Sequence, residues 1–190
     1  MIPMNSKNLT PEESLNLITK VIYEARQNFK DDGIIFILWG ILLTVASLGQ
    51  FILLQLEYYS INYLPYFIMP FGGLATYFYY SKKGYRNPNA ISKLVGRIWY
   101  AILINVLLLG FIFAVNLQEN LTSVLLILIG IGSLASGSAL KDKTILISGL
   151  CINLLGLSCF FISYEYHPLI NAIVGFFFTL IPGILLRRKK

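Results

Sequence analysis

The sequence predicts an all-α fold: a polytopic membrane bundle of six transmembrane helices, paired as three hairpins and preceded by an amphipathic N-terminal helix. Three observations predict it. Hydrophobic residues make up 56% of the 190 residues and charged residues 13%, against about 25% charged in an average soluble domain; mean hydropathy is +0.70. Six apolar stretches carry no Asp, Glu, Lys, Arg or His in their interiors. All 15 Lys and Arg lie in the N-terminal segment, in the region 82–97, in the turn at 141–143 or in the tail, and the alternate turns have none. Cationic loops stay on the cytoplasmic side, so the chain is expected to be multi-pass with both termini in the cytoplasm. The net charge of +6 therefore reads as orientation. The expected partner is the lipid bilayer, not nucleic acid.

Residues 1–33 form the cytoplasmic segment, and their polar start is not expected to be a cleavable signal. Thr10-Pro11-Glu12-Glu13 has the makings of a capping box, with Thr10 at the cap and Glu13 reaching back. Leu15, Ile18, Ile22, Ala25 and Phe29 then recur at three and four, so a helix over about 11–30 is two-faced. Two dispositions are open to it. It lies in the membrane interface, or it offers its apolar face to a cytoplasmic regulatory protein or to a second copy. Asp31-Asp32-Gly33 ends it.

The transmembrane domain covers 34–186, with spans at about 34–56, 64–81, 95–116, 121–140, 144–164 and 169–186, and the basic tail is 187–190. Span four, Leu121–Leu140, has no charge in twenty positions and reaches about 30 Å as a helix, the thickness of a bilayer core. Gly130, Ser133 and Gly137 share one of its faces and should let a neighbouring helix approach closely. Span two carries Pro70-Phe71-Gly72-Gly73, which predicts a kink or unwound patch near its middle. Asn87-Pro88-Asn89 marks a turn. Trp39, Trp99 and the many tyrosines read as interfacial belts. Cys151 and Cys159 lie about 12 Å apart along one helix, too far for a mutual disulfide. Each outer turn holds one glutamate (Glu57, Glu119, Glu165), yet the three hairpins do not align in length or sequence.

Chemistry is sparse. Buried ionisable groups mark proton relays and ion paths, and the spans have none. A zinc protease helix needs two histidines; this chain has one. Glu12-Glu13 begins another membrane-protease motif, but Leu17 stands where its arginine belongs. Ser136-Gly137 follows Leu134-Ala135 rather than a glycine, and His167 lies at the opposite membrane face, more than about 20 Å away in depth. His167 beside Glu165 supplies two ligands, too few for a metal, and reads as a polar loop residue before Pro168. No catalytic residue, metal or cofactor is expected. Uncharged polarity remains: Asn105 and Asn153 near mid-depth either hydrogen-bond between helices or, with Pro70, Gly72, Gly73 and Gly130, line a small cavity beside the second span.

Several segments also carry a resemblance: Ser14 to Thr19 with Arg26 to Phe29, Phe36-Ile37-Leu38-Trp39-Gly40, Ser136-Gly137 before its lysine turn, and Pro182-Gly183 before the basic tail. Together they resemble a family of small, uncharacterised multi-span proteins of Bacteroidetes-type bacteria. The family's genes often stand beside a winged-helix transcription regulator. The resemblance implies a sensory or envelope-stress role, with the amphipathic segment as a cytoplasmic contact. The expected function is thus non-enzymatic, regulatory or binding. The alternative is a small carrier, channel or lipid-handling protein for a neutral or apolar ligand near the kinked second span.

Overall fold

A computed structural model describes residues 10–31, 33–83 and 90–188. The turn expected at Asn87–Asn89, Asp32, both chain ends and the side chains of 25–31, Ala25 and Phe29 among them, lie outside the described residues. Every regular element in the described residues is helical. In chain order these are α1 (Pro11–Asp31), α2 (Gly33–Gln55), α3 (Met69–Lys83), α4 (Ala90–Phe111), the short α5 (Ala114–Leu117), α6 (Leu121–Leu140), α7 (Lys143–Ser158), α8 (His167–Ile173) and α9 (Ile181–Arg188). Among the described residues, five helical stretches are long and apolar enough to cross a bilayer: Gly33–Gln55, Lys93–Gly110, Gln118–Leu140, Lys143–Phe161 and Tyr164–Arg188. The region of the expected second span, Leu64–Ile68 running into α3, is not among them; two prolines, two glycines and four tyrosines make it less apolar than the others.

Local signals explain where elements begin and turn. The Thr10 amide donates to Glu13 Oε2 at 2.9 Å and the Glu13 amide to Thr10 Oγ1 at 3.2 Å. That reciprocal pair starts α1 as its sequence predicts. Between α6 and α7 the chain reverses in two residues. Lys141 takes the left-handed conformation, φ 50°, closing α6. Buried Asp142 accepts from the Thr144 and Ile145 amides at 2.9 and 3.3 Å, capping α7.

The mid-span kink expected at Pro70–Gly73 is not where the helix changes. A tight 3-10 turn, Leu64–Ile68, gives way to α3 at Met69. Pro70 therefore falls in the first α turn, where its missing N–H leaves no bond unmade, and α3 continues through both glycines. The last span changes geometry instead. Between α8 and α9, Val174–Leu180 is π-helical, directly ahead of Pro182. A proline ring strikes the carbonyl four residues back in an α-helix, and the wider turn relieves that clash.

The principal contacts run in the order α3, α2, last span, α7, α6, α4, with α1 lying against α4, α6, α9 and α2. Two seams in this row are backbone-close. A Cβ added at Gly137 would sit 2.5 Å from Leu146 N, and one at Gly149 2.5 Å from Leu134 N. In the other seam, a Cβ at Gly40 would lie 2.5 Å from Leu180 N, and one at Gly183 2.9 Å from Gly33 O.

The first two hairpins do align, contrary to the reading of the sequence. Trp39 Nε1 donates to Thr76 Oγ1 at 3.1 Å, and Thr76 donates to Gly72 O at 2.8 Å. Trp99 Nε1 donates to Ser136 Oγ at 3.1 Å, and Ser136 to Gly132 O at 2.7 Å. A Cβ at Gly72 would strike Leu42, and one at Gly132 would strike Ile102. Each residue of the second set stands sixty positions after its counterpart, as do Leu134-Ala135 after Leu74-Ala75. The two tryptophans thus join helices within hairpins, a role beyond the interfacial belt expected of them.

Gly40→Val and Gly137→Val must push two backbones apart and should each cost about 1–3 kcal/mol in unfolding measured in detergent micelles. Gly96→Ala, where a Cβ meets nothing within 4 Å, should be neutral or stabilising by roughly 0.5–1 kcal/mol.

Candidate functional site

The residues expected to line one cavity are dispersed. Pro70 and Gly73 are exposed on α3, and a Cβ at Gly73 meets nothing within 4 Å. Gly72 lies beneath Trp39 and Leu42. Asn105 is exposed on α4 and satisfies its amide by donating to Ala101 O at 2.9 Å, one turn back. It points away because α4 offers Trp99 and Ile102 to α6. Only Gly130 and Asn153 come together: a Cβ at Gly130 would lie 2.5 Å from Asn153 Nδ2, which reaches Ile127 O at 3.5 Å. Asn153 is therefore a tie between α6 and α7. Gly130, Ser133 and Gly137 are all buried, on the α6 face that meets α7.

The concentrated polarity lies elsewhere, at the end of the bundle away from the lysines. Gln50, on α2, is 4% exposed and Asn62, in the following turn, is also 4% exposed. Gln50 Nε2 donates to Asn62 Oδ1 at 3.0 Å and to the Tyr164 hydroxyl at 3.4 Å. Asn62 Nδ2 donates to Tyr59 O. The Tyr164 hydroxyl also pairs with that of Tyr63, which faces outward. One turn before Gln50 on α2, Ser47 Oγ meets the Tyr66 hydroxyl at 3.0 Å, and Asn171 Nδ2 donates to the same hydroxyl at 3.4 Å. Ser47 and Gln50 share a helix face by their spacing of three; the 3-10 turns over 59–68 and the start of the last span bring the rest to them.

His167 borders this cluster and is not the loop residue its position before Pro168 suggested. It is the first residue of α8, 2% exposed. Its Nε2 faces Cys159 O and Ile162 O, each at 2.9 Å. Two carbonyl oxygens can only accept, so Nε2 carries a proton, and in the neutral ring Nδ1 is an acceptor. Nδ1 is buried with no partner, and the ring stands edge-on to Tyr164 at 5.8 Å. Both cysteines are free, with Cys159 buried beside this region and Cys151 partly buried.

Sequence reasoning passed over Gln50, Ser47, Tyr66, Tyr164 and Asn171. A signal existed for two of them. Ser47 and Gln50 are polar, one turn apart and inside an otherwise greasy span, and polar groups in lipid are placed where they find partners. The tyrosines and Asn171 gave no signal, since phenols at span ends are ordinary belt residues.

Among the described residues, five helices long and apolar enough to cross a bilayer, packed through glycine seams with a neutral polar cluster at one end, mark a multi-pass helical membrane protein. Comparison with protein-family models, curated proteins and solved structures finds no match to this chain.

Gln50→Leu strips the donor from Asn62 and Tyr164 and should lower unfolding stability by about 1–3 kcal/mol. Asn105→Leu, outside the cluster and exposed, should change it by no more than about 0.5 kcal/mol.

Proposed function

We propose that this chain is a six-crossing protein of the bacterial inner membrane, with both termini cytoplasmic and a non-enzymatic, regulatory or binding role in which α1 is the cytoplasmic contact surface. The observation that carries this reading is the state of α1. It is a 21-residue helix closed by a capping box, so it has its own start and does not depend on the bundle for one. Val21 and Ile22 in its second half are partly buried. Leu15 and Ile18, on its apolar stripe, are 65% and 57% exposed. A helix held at one end with its apolar stripe uncovered at the other suits a surface for a cytoplasmic protein or a second copy.

The sixth crossing is supported by length. Leu64–Ile68 contributes five residues in 3-10 geometry and α3 fifteen more, together roughly 32 Å at 2.0 and 1.5 Å per residue. The placement of all 15 Lys and Arg supports the orientation. Membership of the Bacteroidetes-type family that the chain resembles is part of the same proposal. The alternative of a carrier for a neutral ligand beside the second span draws no support from Pro70, Gly72, Gly73, Asn105, Gly130 and Asn153, which do not converge.

A photo-crosslinking amino acid at Leu15 in living cells separates contact from simple anchoring. Protein adducts are expected, and Ile18→Glu should abolish them while the thermal midpoint of the purified bundle stays unchanged. Lipid adducts alone would contradict a contact role for α1.

A further inference from the structure

The two aligned hairpins share a tryptophan–hydroxyl–glycine latch and differ at their other end. Sixty positions after Ser47, Gln50, Asn62, Tyr63 and Tyr66 stand Leu107, Gly110, Thr122, Ser123 and Leu126. The second hairpin therefore makes the same latch with none of the amides or phenols. Nor does the last span need them to reach α2, since Gly40, Gly175 and Gly183 already bring those backbones together. Burying polar groups away from water is unfavourable unless they find partners. A polar set that neither latch nor seam requires, present in one hairpin and absent from the other, is a specialisation.

We propose that the Gln50–Asn62–Tyr164 cluster is a binding site for an uncharged, multiply hydroxylated molecule of the sugar class, entering past Tyr63. The charge comes first. The bonded set consists of amides, phenols and a serine hydroxyl, none of which carries a formal charge, while the carboxylates of Glu57 and Glu165 stand in the adjoining turns. Its open capacity comes second. Gln50 uses only Nε2; its Oε1 receives no donor among the described residues. Beside Tyr164, His167 Nδ1 is a second acceptor without a partner. Both open atoms accept, so the ligand has to donate, which selects hydroxyls over ethers or esters. Each phenol of the Tyr63–Tyr164 pair can donate or accept, so that pair can exchange its mutual bond for bonds to ligand hydroxyls. The rings offer flat apolar faces to the C–H side of a sugar. Gln50 lies five residues before the end of α2, about 7.5 Å along the helix, a depth open both to a free sugar and to the head group of a neutral glycolipid.

The full chain in phosphatidylethanolamine nanodiscs tests this. Free glucose, galactose, mannose and trehalose form one arm, and nanodiscs doped with monoglucosyl- or monogalactosyl-diacylglycerol the other. A ligand that binds only the folded chain raises the thermal midpoint. A rise is expected in at least one arm, and the arm that responds identifies a soluble or a lipid-linked sugar. Tyr164→Phe, which keeps the ring, should weaken apparent affinity about tenfold or more, equivalent to 1.4 kcal/mol. Gln50→Leu should abolish the rise measured against its own unliganded midpoint, and Asn105→Leu should leave it intact. No rise in either arm, or a rise undiminished in Tyr164→Phe and Gln50→Leu, overturns the proposal. Neither result depends on α1, so failure here leaves the contact role of α1 standing.

Discussion

A bilayer gives helices nothing to gain by hiding apolar side chains from one another, since the surrounding lipid is as greasy as they are. What holds such a bundle is contact close enough for dispersion between backbones, together with hydrogen bonds that have no water to compete for them. Both appear here in distinct places. Gly137 with Gly149 and Gly40 with Gly183 let two helix pairs meet backbone to backbone. Trp39 with Thr76 and Trp99 with Ser136 tie the outlying helices α3 and α4 to their neighbours. The hydroxyls in those ties also bond the carbonyl one turn back, so no buried donor in either latch is left unmet.

The same constraint sorts the two ends of the molecule. Charge stays out of the spans, and every lysine and arginine collects at one end, where Asp142 caps α7 and α1 lies against the bundle. The opposite end carries one glutamate in each turn and no lysine or arginine, and its buried hydrogen-bonded cluster is uncharged. There the first hairpin departs from the second, replacing Leu107 and Leu126 with the bonded pair Ser47 and Tyr66, and Gly110 with Gln50. One hairpin plan thus serves two purposes, packing in one copy and hydrogen bonding in the other.

How much of this is legible in the sequence depends on how local each cause is. The all-helical membrane class follows from composition, and the capping box at Thr10 and Glu13 from four adjacent residues. Small residues at three and four on α6 are equally local, and the structure sets that face against α7. Asn105 and Asn153 look alike in sequence, yet one is exposed and the other ties α6 to α7, because direction depends on which face of the helix its neighbour covers. Pro70 invited a mid-span break, but the neighbouring 3-10 turn shifts it into a first turn, where it is harmless. The internal repeat was hidden for a related reason. Its shared residues are scattered over two helices, and toward the outer ends the two hairpins differ, with Ser47, Gln50 and Tyr66 in the first and Leu107, Gly110 and Leu126 in the second. His167 reads as a loop residue until the turn at 159–162 supplies the two carbonyls that bury it.

The proposed six-crossing arrangement is tested most directly by sidedness. Single cysteines at Ser60 and Arg188, in a chain whose Cys151 and Cys159 are replaced by serine, can be labelled in intact cells with a membrane-impermeant maleimide. Labelling at position 60 and protection at position 188 until the membrane is opened is the expected result. Equal labelling of both positions from outside would contradict it, because the two ends of the bundle would then lie in one compartment.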